Sequence, residues 1–572
     1  MTALLDEPAV HPSPVDRVRA AYRRIAEVDR PEVWIALRPE AEVRADAAAV
    51  QARLAAGEAL PLAGLLVAVK DNIDVAGVPT TAACPGFARI PDETAAAIER
   101  LTAAGAVLLG KTNLDQFATG LVGTRSPYGA VRNAHHPELV SGGSSSGSAV
   151  AVALGIADIG IGTDTAGSGR VPAALNGIVG MKATLGIVPA HGVLPACADF
   201  DAVTVFAAEL PLAVAAIRVM AGPEPRDPRS RSWPADVPLA AAPRIAVPTG
   251  ANLAALAPEY RDAFERTLRL LRERGAELTE VDIAPLLDAA RLLYDGALVA
   301  ERYAAVGEFL ATGPAGVDPT VAAIIGAAAT PSGAAFAADL DTLARTKAEA
   351  GTLLDGFAGL LLPTTTEHPA IAAIEADPRT VNRRMGTFTN FCNLLDMAAV
   401  AVPGLPTAAG LPFGVMAVVP AFADQLAVDI AALLTGDEPP LLVPDAVPLA
   451  VFGAHLRGQP LHHQLTALHA RFAGEIATTD AYRLAALDTV PPKPGLVRHG
   501  PGLGAPIAGE LFLVSKAGLG AFLAALPAPM ALTSVDLADG RSVVGFGCGY
   551  DAAVAGTDIT GHGGWKAYLA AR

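Results

Sequence analysis

Three short segments carry residue types that together can perform nucleophilic chemistry without a metal ion. Residues 65–72 end an apolar run with Lys70, residues 141–148 consist only of glycine and serine, and residues 162–170 place small residues before Ser168. A neutral lysine can take a proton from a serine hydroxyl, directly or through a second serine, and so activate the serine as a nucleophile. The set therefore predicts a Ser–Ser–Lys relay.

Lys70 occupies a position where the choice of lysine over arginine carries information. The chain has seven lysines and thirty-five arginines, so a lysine at the end of a buried strand indicates a need for an amine that can lose its proton. Burial lowers the pKa of a lysine and turns it into a base, which an arginine cannot become. The alternative is a lysine that only caps the sheet in solvent.

The two small-residue segments also have a structural and a functional interpretation. Residues 141–148 have the composition of a flexible linker, but helix and strand patterns flank them, and a structureless linker inside a core is uncommon. The small residues before Ser168 allow a tight turn whose backbone N–H groups converge on one point. An oxyanion hole requires that arrangement.

The elements that would position these segments alternate between helix and strand. Apolar spacing predicts helices within residues 14–57 and 94–104, and buried strands at 65–69 and 106–109. This alternation is typical of an α/β sheet covered by helices on both faces. Residues 222–248 are rich in proline and arginine, and we expect them to form a surface excursion inside one domain.

A proline-rich stretch at residues 436–448 predicts a linker between two domains. We expect a larger domain at 1–440 and a smaller domain at 449–572. In the smaller domain, short apolar runs such as 509–514 and 542–547 alternate with glycine and proline turns. That pattern predicts mixed or mainly β structure.

Composition excludes several classes of protein. The 572 residues are 52% hydrophobic and carry a net charge of −16, so the chain is neither disordered nor attracted as a whole to nucleic acid or to an anionic membrane. Charge or proline interrupts every long apolar stretch, and the N-terminus has no secretory signal, so we expect a cytoplasmic protein that does not cross a membrane. The cysteines are too far apart for a disulfide scaffold or a structural zinc site. They are Cys84, Cys197, Cys392 and Cys548.

Three other patterns suggest chemistry that their context does not support. Residues 105–112 match a phosphate-binding GxxxxGK[ST] loop, yet the variable positions are themselves the predicted strand. Residues 143–147 match the GxSxG nucleophile elbow, yet no strand signal leads into them. Four histidines of the C-terminal domain have no carboxylate or cysteine at metal-ligand spacing, which favours packed or surface side chains over a metal site. They are His455, His462, His463 and His469.

With the three segments in this order and spacing, the chain resembles the amidase signature enzymes. Lys70 precedes Ser168 by 98 residues, and Ser144 precedes it by 24. The resemblance implies an amidase-signature fold with a mixed central sheet covered by helices. It also implies that Ser168 is the nucleophile, that Lys70 is the base, and that Ser144, which follows a cis peptide bond, relays the proton between them.

The same resemblance implies roles for the residues around the nucleophile. Backbone amides at Thr165, Ala166 and Gly167 would form the oxyanion hole. Asp164 and Arg170 would support that turn. No metal ion and no organic cofactor is needed for this chemistry.

Further segments are similar to allophanate hydrolases, and they span both expected domains. They are residues 79–87, 192–197, 389–396 and 451–461. This resemblance implies hydrolysis of the amide of allophanate, in urea or s-triazine degradation, by a homodimer. It also implies a smaller α+β C-terminal domain, with a γ-glutamylcyclotransferase-like fold, that assists decarboxylation of N-carboxycarbamate to ammonia and carbon dioxide. One departure is Ala183, where the family usually has proline, and we expect only a local loop change there.

Two residues are expected to hold the substrate. The allophanate carboxylate requires a fixed cation, for which a planar guanidinium is best suited, and residues 294–302 resemble the substrate-recognition helix of the family. Tyr294 and Arg302 are eight residues apart, close to one face of such a helix, and we predict that they bind the substrate. The alternative is a solvated arginine beside an equally solvated Glu301.

In the C-terminal domain, His455 is the titratable group that we would test as a proton donor for the decarboxylation. The alternative for this domain is that it only packs or dimerises.

Two other functions stay open from the sequence. A general amidase-signature enzyme, such as a broad amidase or one component of an aminoacyl-tRNA amidotransferase, has no reason to keep Arg302 and the C-terminal domain. A non-catalytic partner of a urea carboxylase has no reason to keep Lys70, Ser144 and Ser168. No biotin-attachment or ATP-grasp-like segment is recognisable, so any urea carboxylase would be a separate protein.

Overall fold

An eleven-stranded mixed sheet forms the centre of the larger part of the chain. The computed structural model describes residues 12–240, 244–443 and 445–572. These residues divide into two compact units. The first comprises the residues up to Ser232 and those from 244 to Leu442, and the second comprises those from Trp233 to 240 and from Val443 onward.

The strands of the first unit form one sheet in the order β1-β3-β2-β4-β6-β5-β10-β11-β9-β7-β8. They are β1 Trp34–Leu37, β2 Leu66–Lys70, β3 Val107–Thr112, β4 Ile159–Asp164, β5 Val179–Lys182, β6 Ala202–Ala207, β7 Arg244–Pro248, β8 Glu277–Val281, β9 Leu360–Pro363, β10 Met397–Pro403 and β11 Gly414–Pro420. Strand β2 is parallel to β3 and β4, and β7 is parallel to β8 and β9, whereas the other pairs are antiparallel. Strands β2 to β6 are buried along their whole length, as expected for apolar strands with both faces covered. The predicted α/β fold with a mixed, helix-covered sheet is confirmed.

Helices cover this sheet. Those described in the first unit are α1 Pro14–Val28, α2 Glu40–Ala55, α3 Ala96–Ala103, α4 Ser146–Ala153, α5 Val171–Asn176, α6 Leu210–Met220, α7 Pro258–Glu273, α8 Ala284–Asp295, α9 Ala300–Ala311, α10 Pro319–Ala327, α11 Gly333–Leu353, α12 Ile371–Ala376, α13 Thr380–Met385, α14 Asn390–Leu394 and α15 Asp424–Thr435. Short 3₁₀ turns lie at Pro31–Val33, Pro85–Phe87, Gln116–Ala118 and Ala297–Val299. Local sequence explains some of the boundaries: α1 begins where the Ser13 side chain accepts a hydrogen bond from the Asp16 amide and proline takes the first helical position.

The parallel pair β2 and β4 determines where the chemistry-bearing segments meet. Val67 pairs with Ile159 and Val69 with Ile161, so Lys70 at the end of β2 lies beside the last residues of β4. Because both strands run in the same direction, the turn that follows β4 leaves the sheet at the same edge. Helix α4 approaches β4 closely, since a Cβ atom on Gly160 would lie 2.7 Å from Ser148 O.

The second unit is smaller and rich in β-strands. Its strands are β12 Val447–Val451, β13 Arg471–Ala477, β14 Tyr482–Leu487, β15 Lys493–Arg498, β16 Ala508–Val514, β17 Met530–Asp536, β18 Ser542–Cys548 and β19 Thr557–Asp558. They form a five-stranded sheet, β13-β16-β12-β18-β17, and a three-stranded sheet, β15-β14-β19. The helices are α16 His462–Thr466, α17 Lys516–Ala524, α18 Tyr550–Ala555 and α19 Trp565–Ala570, with a 3₁₀ turn at Thr560–His562. Across the described residues of both units, no helix is long and apolar enough to span a bilayer.

One segment departs from the sequence-based expectation. We expected residues 222–248 to stay within one domain, but residues 233–240 belong to the second unit. Leu239 is buried there, its amide donates to His469 O (3.2 Å), and its carbonyl accepts from Arg471 Nε (2.7 Å). Proline and arginine content indicates surface, but it carries no information about which distant backbone the segment will pair with.

Replacing Leu239 with alanine tests this placement. The change should destabilise the second unit by about 2–5 kcal/mol, the usual loss for a buried leucine, and should increase amide hydrogen exchange in β13 while leaving β2 unchanged. Mass-spectrometric exchange on the full chain measures both strands. Leu523→Ala, at an exposed leucine of α17, is the matched control and should change neither. Faster exchange in β2 than in β13 would contradict the placement.

Candidate active site

Lys70 is completely buried at the end of β2. Its Nζ donates hydrogen bonds to the hydroxyls of Ser144 (2.8 Å) and Thr163 (2.7 Å), and neither partner is a carboxylate. Burial lowers the pKa of Lys70 to about 7, although the Asp115 carboxylate opposes the shift. A large share of the amine is therefore neutral near neutral pH and can accept a proton.

The glycine–serine segment is ordered and buried, and it is not a flexible linker. The peptide bond between Gly143 and Ser144 is cis, as the family resemblance implies. Ser145 Oγ donates to Thr163 O (3.0 Å) and so joins the segment to β4. Gly143 permits a close approach, because a Cβ atom there would lie 2.0 Å from Asp115 Oδ2.

Asp115 organises the loop beside this segment. Its carboxylate accepts hydrogen bonds from the amides of Val122 (3.1 Å), Gly123 (3.0 Å) and Arg125 (3.0 Å). Its own amide donates to Ser144 O (3.1 Å). Asp115 thus connects the backbone at Ser144 to the loop at residues 122–125.

The turn after β4 presents Ser168. The Asp164 carboxylate accepts from the amides of Gly167 (2.8 Å) and Gly169 (2.9 Å) and so holds the turn on both sides of Ser168. Ser168 is 3% exposed, and within the described residues no hydrogen bond engages its hydroxyl. That hydroxyl is therefore available to a substrate.

Asp164 and Arg170 form a buried, two-pronged ion pair at the base of this turn. Arg170 Nε lies 2.9 Å from Asp164 Oδ2 and Nη2 lies 3.0 Å from Oδ1. Burial would raise the pKa of the Asp164 carboxyl, but Arg170 outweighs burial and holds that pKa below its usual value. Arg170 also donates to Thr389 O (3.1 Å) and Asn393 Oδ1 (2.9 Å). Asp164 and Arg170 thus contact the turn around Ser168, and their role as its supports stays a prediction.

The three predicted oxyanion-hole residues differ in what their amides do. The Gly167 amide is already bonded to Asp164, because the carboxylate needs that contact to close the turn. Within the described residues, the amides of Thr165, Ala166 and Ser168 make no hydrogen bond. Thr389 Oγ1 donates to Ala166 O (2.6 Å) and anchors this stretch from the other side.

Tyr294 and Arg302 meet, but not on one helix as we expected. Helix α8 ends just after Tyr294, and Arg302 belongs to α9. Arg302 Nη2 still donates to Tyr294 Oη (3.3 Å), and Nη1 donates to Thr119 Oγ1 (3.0 Å). Arg302 is 1% exposed, which excludes the solvated alternative.

His455 lies in the second unit, in the wall of a cavity of about 520 Å³. Its ring stacks on Phe546 at 4.8 Å and meets the edge of Phe522 at 5.1 Å. Its Nε2 is 2.9 Å from Gln464 Oε1, an arrangement in which Nε2 carries the proton and Nδ1 is free. Burial lowers the pKa of His455 below its ordinary value, so the ring is neutral at neutral pH.

The key residues of the two competing motifs make structural contacts. Lys111, in the phosphate-loop-like segment, lies inside strand β3 and forms an ion pair with Asp71 at 2.9 Å. Ser145, the central serine of the elbow-like segment, donates its hydroxyl to β4. In the part of the chain that the structure describes, no cluster of three or more histidine, cysteine or acidic side chains could hold a metal ion.

The sequence analysis did not identify two residues that contact the site, Thr163 and Asn393. Thr163, the second partner of Lys70, lies in the same small-residue segment as Ser168, and the parallel register of β2 and β4 would have pointed to it. Asn393 donates to the carbonyls of Asp164 (2.7 Å) and Phe200 (2.9 Å). It lies in one of the segments that resemble allophanate hydrolases, but the sequence offered no sign of its partner.

Comparison with known proteins finds two family matches and a similar solved structure. The family profile described as Amidase matches residues 16–428, and the one described as Allophanate hydrolase C-terminal domain matches residues 447–570. A solved structure of Kluyveromyces lactis allophanate hydrolase is 37% identical, superposes with a TM-score of 0.86, and is matched over 98% of this chain and 97% of its own.

Two kinds of curated relative are similar over different lengths. Urea amidolyase of Saccharomyces cerevisiae is 41% identical over 557 residues, which are 90% of this chain but 30% of that protein, so the chain spans less than a third of its length. A glutamyl-tRNA(Gln) amidotransferase component of Roseiflexus castenholzii is 39% identical over 279 residues, 47% of this chain and 57% of that protein. With an amidase match over most of its residues, the chain belongs to the amidase family and carries an allophanate hydrolase C-terminal domain behind its amidase region.

Proposed function

We propose that this chain hydrolyses the terminal amide of allophanate, with Ser168 as the nucleophile. The observation that carries the reaction type is the buried Lys70 amine, with a pKa of about 7 and a hydrogen bond to Ser144. A neutral amine at this edge of the sheet is a base for serine activation. The similar structure from Kluyveromyces lactis, itself named an allophanate hydrolase, supports the choice of substrate.

The first step is acyl transfer to Ser168. Lys70 accepts a proton from Ser144 as Ser144 accepts one from Ser168, and the Ser168 oxygen forms a bond to the terminal amide carbon. The free amides of Thr165, Ala166 and Ser168 receive the negative oxygen of the tetrahedral intermediate. Protonated Lys70 returns its proton through Ser144 to the amide nitrogen, the C–N bond breaks, and ammonia leaves.

Water completes the first reaction. It attacks the acyl carbon by the same route and gives its proton to Lys70 through Ser144. Lys70 then returns that proton through Ser144 to the Ser168 oxygen as the bond between this oxygen and the acyl carbon breaks. The product is N-carboxycarbamate, with a carboxylate at each end. Asp164 and Arg170 contribute by keeping the turn in one geometry through both halves, because the ion pair holds the amides on either side of Ser168.

Substrate choice rests on Arg302. Its guanidinium is buried, and its described hydrogen-bond partners are a hydroxyl, a carbonyl and a phenol rather than a carboxylate. A buried guanidinium without a carboxylate partner favours an anionic ligand. Tyr294 lies over the same group, with its ring centre 5.3 Å from the guanidinium carbon, and would orient the ligand.

We propose the second unit as the place of decarboxylation. In its cavity, Lys493 is a cation beside neutral His455, close enough to contribute to the lowered pKa of that ring, and no acidic side chain among the described residues lines the walls. A dianion such as N-carboxycarbamate would favour protonation of His455. The bond between the central nitrogen and one carboxylate carbon then breaks, carbon dioxide leaves, and His455 supplies the proton to nitrogen.

Another reaction must produce the substrate. Allophanate is urea carrying a carboxylate on one nitrogen, so an enzyme that carboxylates urea can supply it, and in s-triazine degradation an amide hydrolase acting on a longer urea derivative can do the same. The similar urea amidolyase is more than three times as long as its matched part, which leaves room for a carboxylating activity in that protein and supports a urea carboxylase as the functional partner.

Ammonia release with and without Ser168 tests the reaction. Ser168→Ala should lower the rate of ammonia release from allophanate by about 10⁴-fold or more, because the relay acts as a unit. The matched control, Ser332→Ala at the start of α11, should keep the wild-type rate. Acetamide, which has no carboxylate, should be a poor substrate of the wild type. Comparable release from acetamide would make the chain a general amidase, and activity retained without Ser168 would contradict its role.

Arg302→Lys separates substrate binding from catalysis. We expect KM for allophanate to rise about 10- to 100-fold, since hydrogen bonds to charged groups contribute about 1.5–3 kcal/mol. Ser168 should still react normally with a general acylating probe. Arg291→Lys, at an exposed arginine of α8, should leave KM unchanged. An unchanged KM in Arg302→Lys would overturn the assignment.

His455→Gln tests the second step. The first ammonia should appear at the wild-type rate, whereas carbon dioxide should lag and N-carboxycarbamate should accumulate, which rapid quenching into base and ¹³C NMR can detect. His463→Gln, at an exposed histidine of α16, should behave as wild type. Equal slowing of both steps, or of neither, would exclude the proposed role of His455.

A further inference from the structure

A second buried guanidinium, that of Arg125, lies close to the proposed substrate-binding pair. Arg125 is 3% exposed and lines a cavity of about 500 Å³ together with Tyr294. Its Nη1 donates to Thr119 O (2.8 Å) and its Nη2 to Pro378 O (2.5 Å). Its Nε is buried and has no hydrogen-bond partner among the described residues. Arginine is rarely buried to this extent without an acidic partner.

Thr119 connects Arg125 to Arg302. The Thr119 carbonyl accepts from Arg125, and the Thr119 hydroxyl accepts from Arg302 Nη1 at 3.0 Å. The Nε of Arg302 is also buried, again with no partner in the part of the chain that the structure describes. Within the described residues, the guanidinium of neither arginine forms an ion pair. Asp115, the carboxylate nearest to Arg125 in sequence, bonds the backbone amide of Arg125 instead.

Two guanidinium groups are buried around one threonine in a chain with a net charge of −16. Among the described residues neither has a direct carboxylate contact, although Asp201 and Glu301 favour the charged form of Arg302 from farther away. An anionic ligand that binds beside both would supply the missing direct contact, whereas a neutral ligand of the same shape would not. The arrangement therefore discriminates between ligands by charge.

We propose that Arg125 is the second cation of the substrate site and, with Arg302, gives the enzyme its specificity for amides that carry a carboxylate. This inference rests on the proposed function, because it takes an anionic amide as the substrate. It adds a residue for which the sequence analysis found no role. The competing account is that Arg125 only clamps the loop at Thr119 to the carbonyl of Pro378, a role that concerns stability and is indifferent to ligand charge.

Two stable ligands that differ only in charge distinguish these accounts. Malonamate has a CH₂ group in place of the central nitrogen of allophanate and keeps the carboxylate, and malonamide replaces the carboxylate with a neutral amide. Calorimetric titration of the full chain, with Ser168→Ala in every sample so that neither amide is hydrolysed, gives Kd for each ligand. Arg125→Gln should weaken malonamate about tenfold and leave malonamide within about twofold. Arg125→Lys, which keeps the charge, should restore most of the malonamate affinity.

Arg345→Gln is the matched control, because this exposed arginine of α11 lies outside the residues that line the cavity, and it should change neither Kd. Equal weakening of both ligands in Arg125→Gln, or no weakening of malonamate, would overturn the proposal. If Arg125→Gln does not fold, Arg125→Lys still decides, since the clamp account predicts loss of affinity for both ligands. Ammonia release from allophanate by the wild type is measured in parallel. Its absence would refute the proposed function while the charge-dependent binding stands or falls separately.

Discussion

The proposed chemistry depends on one buried amine whose immediate partners are hydroxyl groups. Lys70 donates to Ser144 and Thr163 at the edge of the central sheet, and burial brings its pKa to about 7. Lys111, only one strand away, is equally buried but has a carboxylate at 2.9 Å, which favours its charged form. Both lysines are buried to the same extent, so the nearest partner, a hydroxyl group or a carboxylate, makes the difference between them. At this edge, β2 and β4 pair in parallel and glycines let α4 approach them. This packing excludes water from Lys70 and holds Ser144 within hydrogen-bond distance of it.

The charged residues around the site are of two kinds, those that pair with each other and those whose described partners are neutral. The ion pair of Asp164 and Arg170 is satisfied internally, and it uses its hydrogen bonds to shape the turn around Ser168. Arg302 and Arg125, in contrast, have described partners that are neutral. A buried pair costs desolvation that its own attraction offsets, whereas a buried single charge is offset only when an anion arrives. On the proposed function, this contrast lets one site hold a rigid nucleophile while its guanidinium groups stay available to a carboxylate.

Much of this arrangement could be predicted from the sequence, and the failures are of two kinds. The family resemblance singled out Lys70, Ser144 and Ser168, and local patterns predicted the sheet and its helices. The end of the helix after Tyr294, at Gly296, and the bond from the Gly167 amide to Asp164 are local features that the sequence analysis did not use. The second-unit location of residues 233–240, in contrast, depends on contacts with distant backbone. Composition and periodicity characterise a segment and its immediate neighbours, so they cannot supply such contacts. Arg125 was missed for the same reason, since its meaning comes from sharing Thr119 with a residue far along the chain.

The most direct test of this account is the ionisation of Lys70 itself. The chain has seven lysines, few enough that ¹³C-labelled lysine Cε signals can be resolved and assigned with a Lys70→Met variant. The account predicts that the Lys70 signal titrates with a midpoint near 7 in the intact protein, while exposed lysines titrate near their ordinary value of about 10.4. A Lys70 that stays protonated up to that higher range would contradict the neutral base on which the proposed mechanism depends.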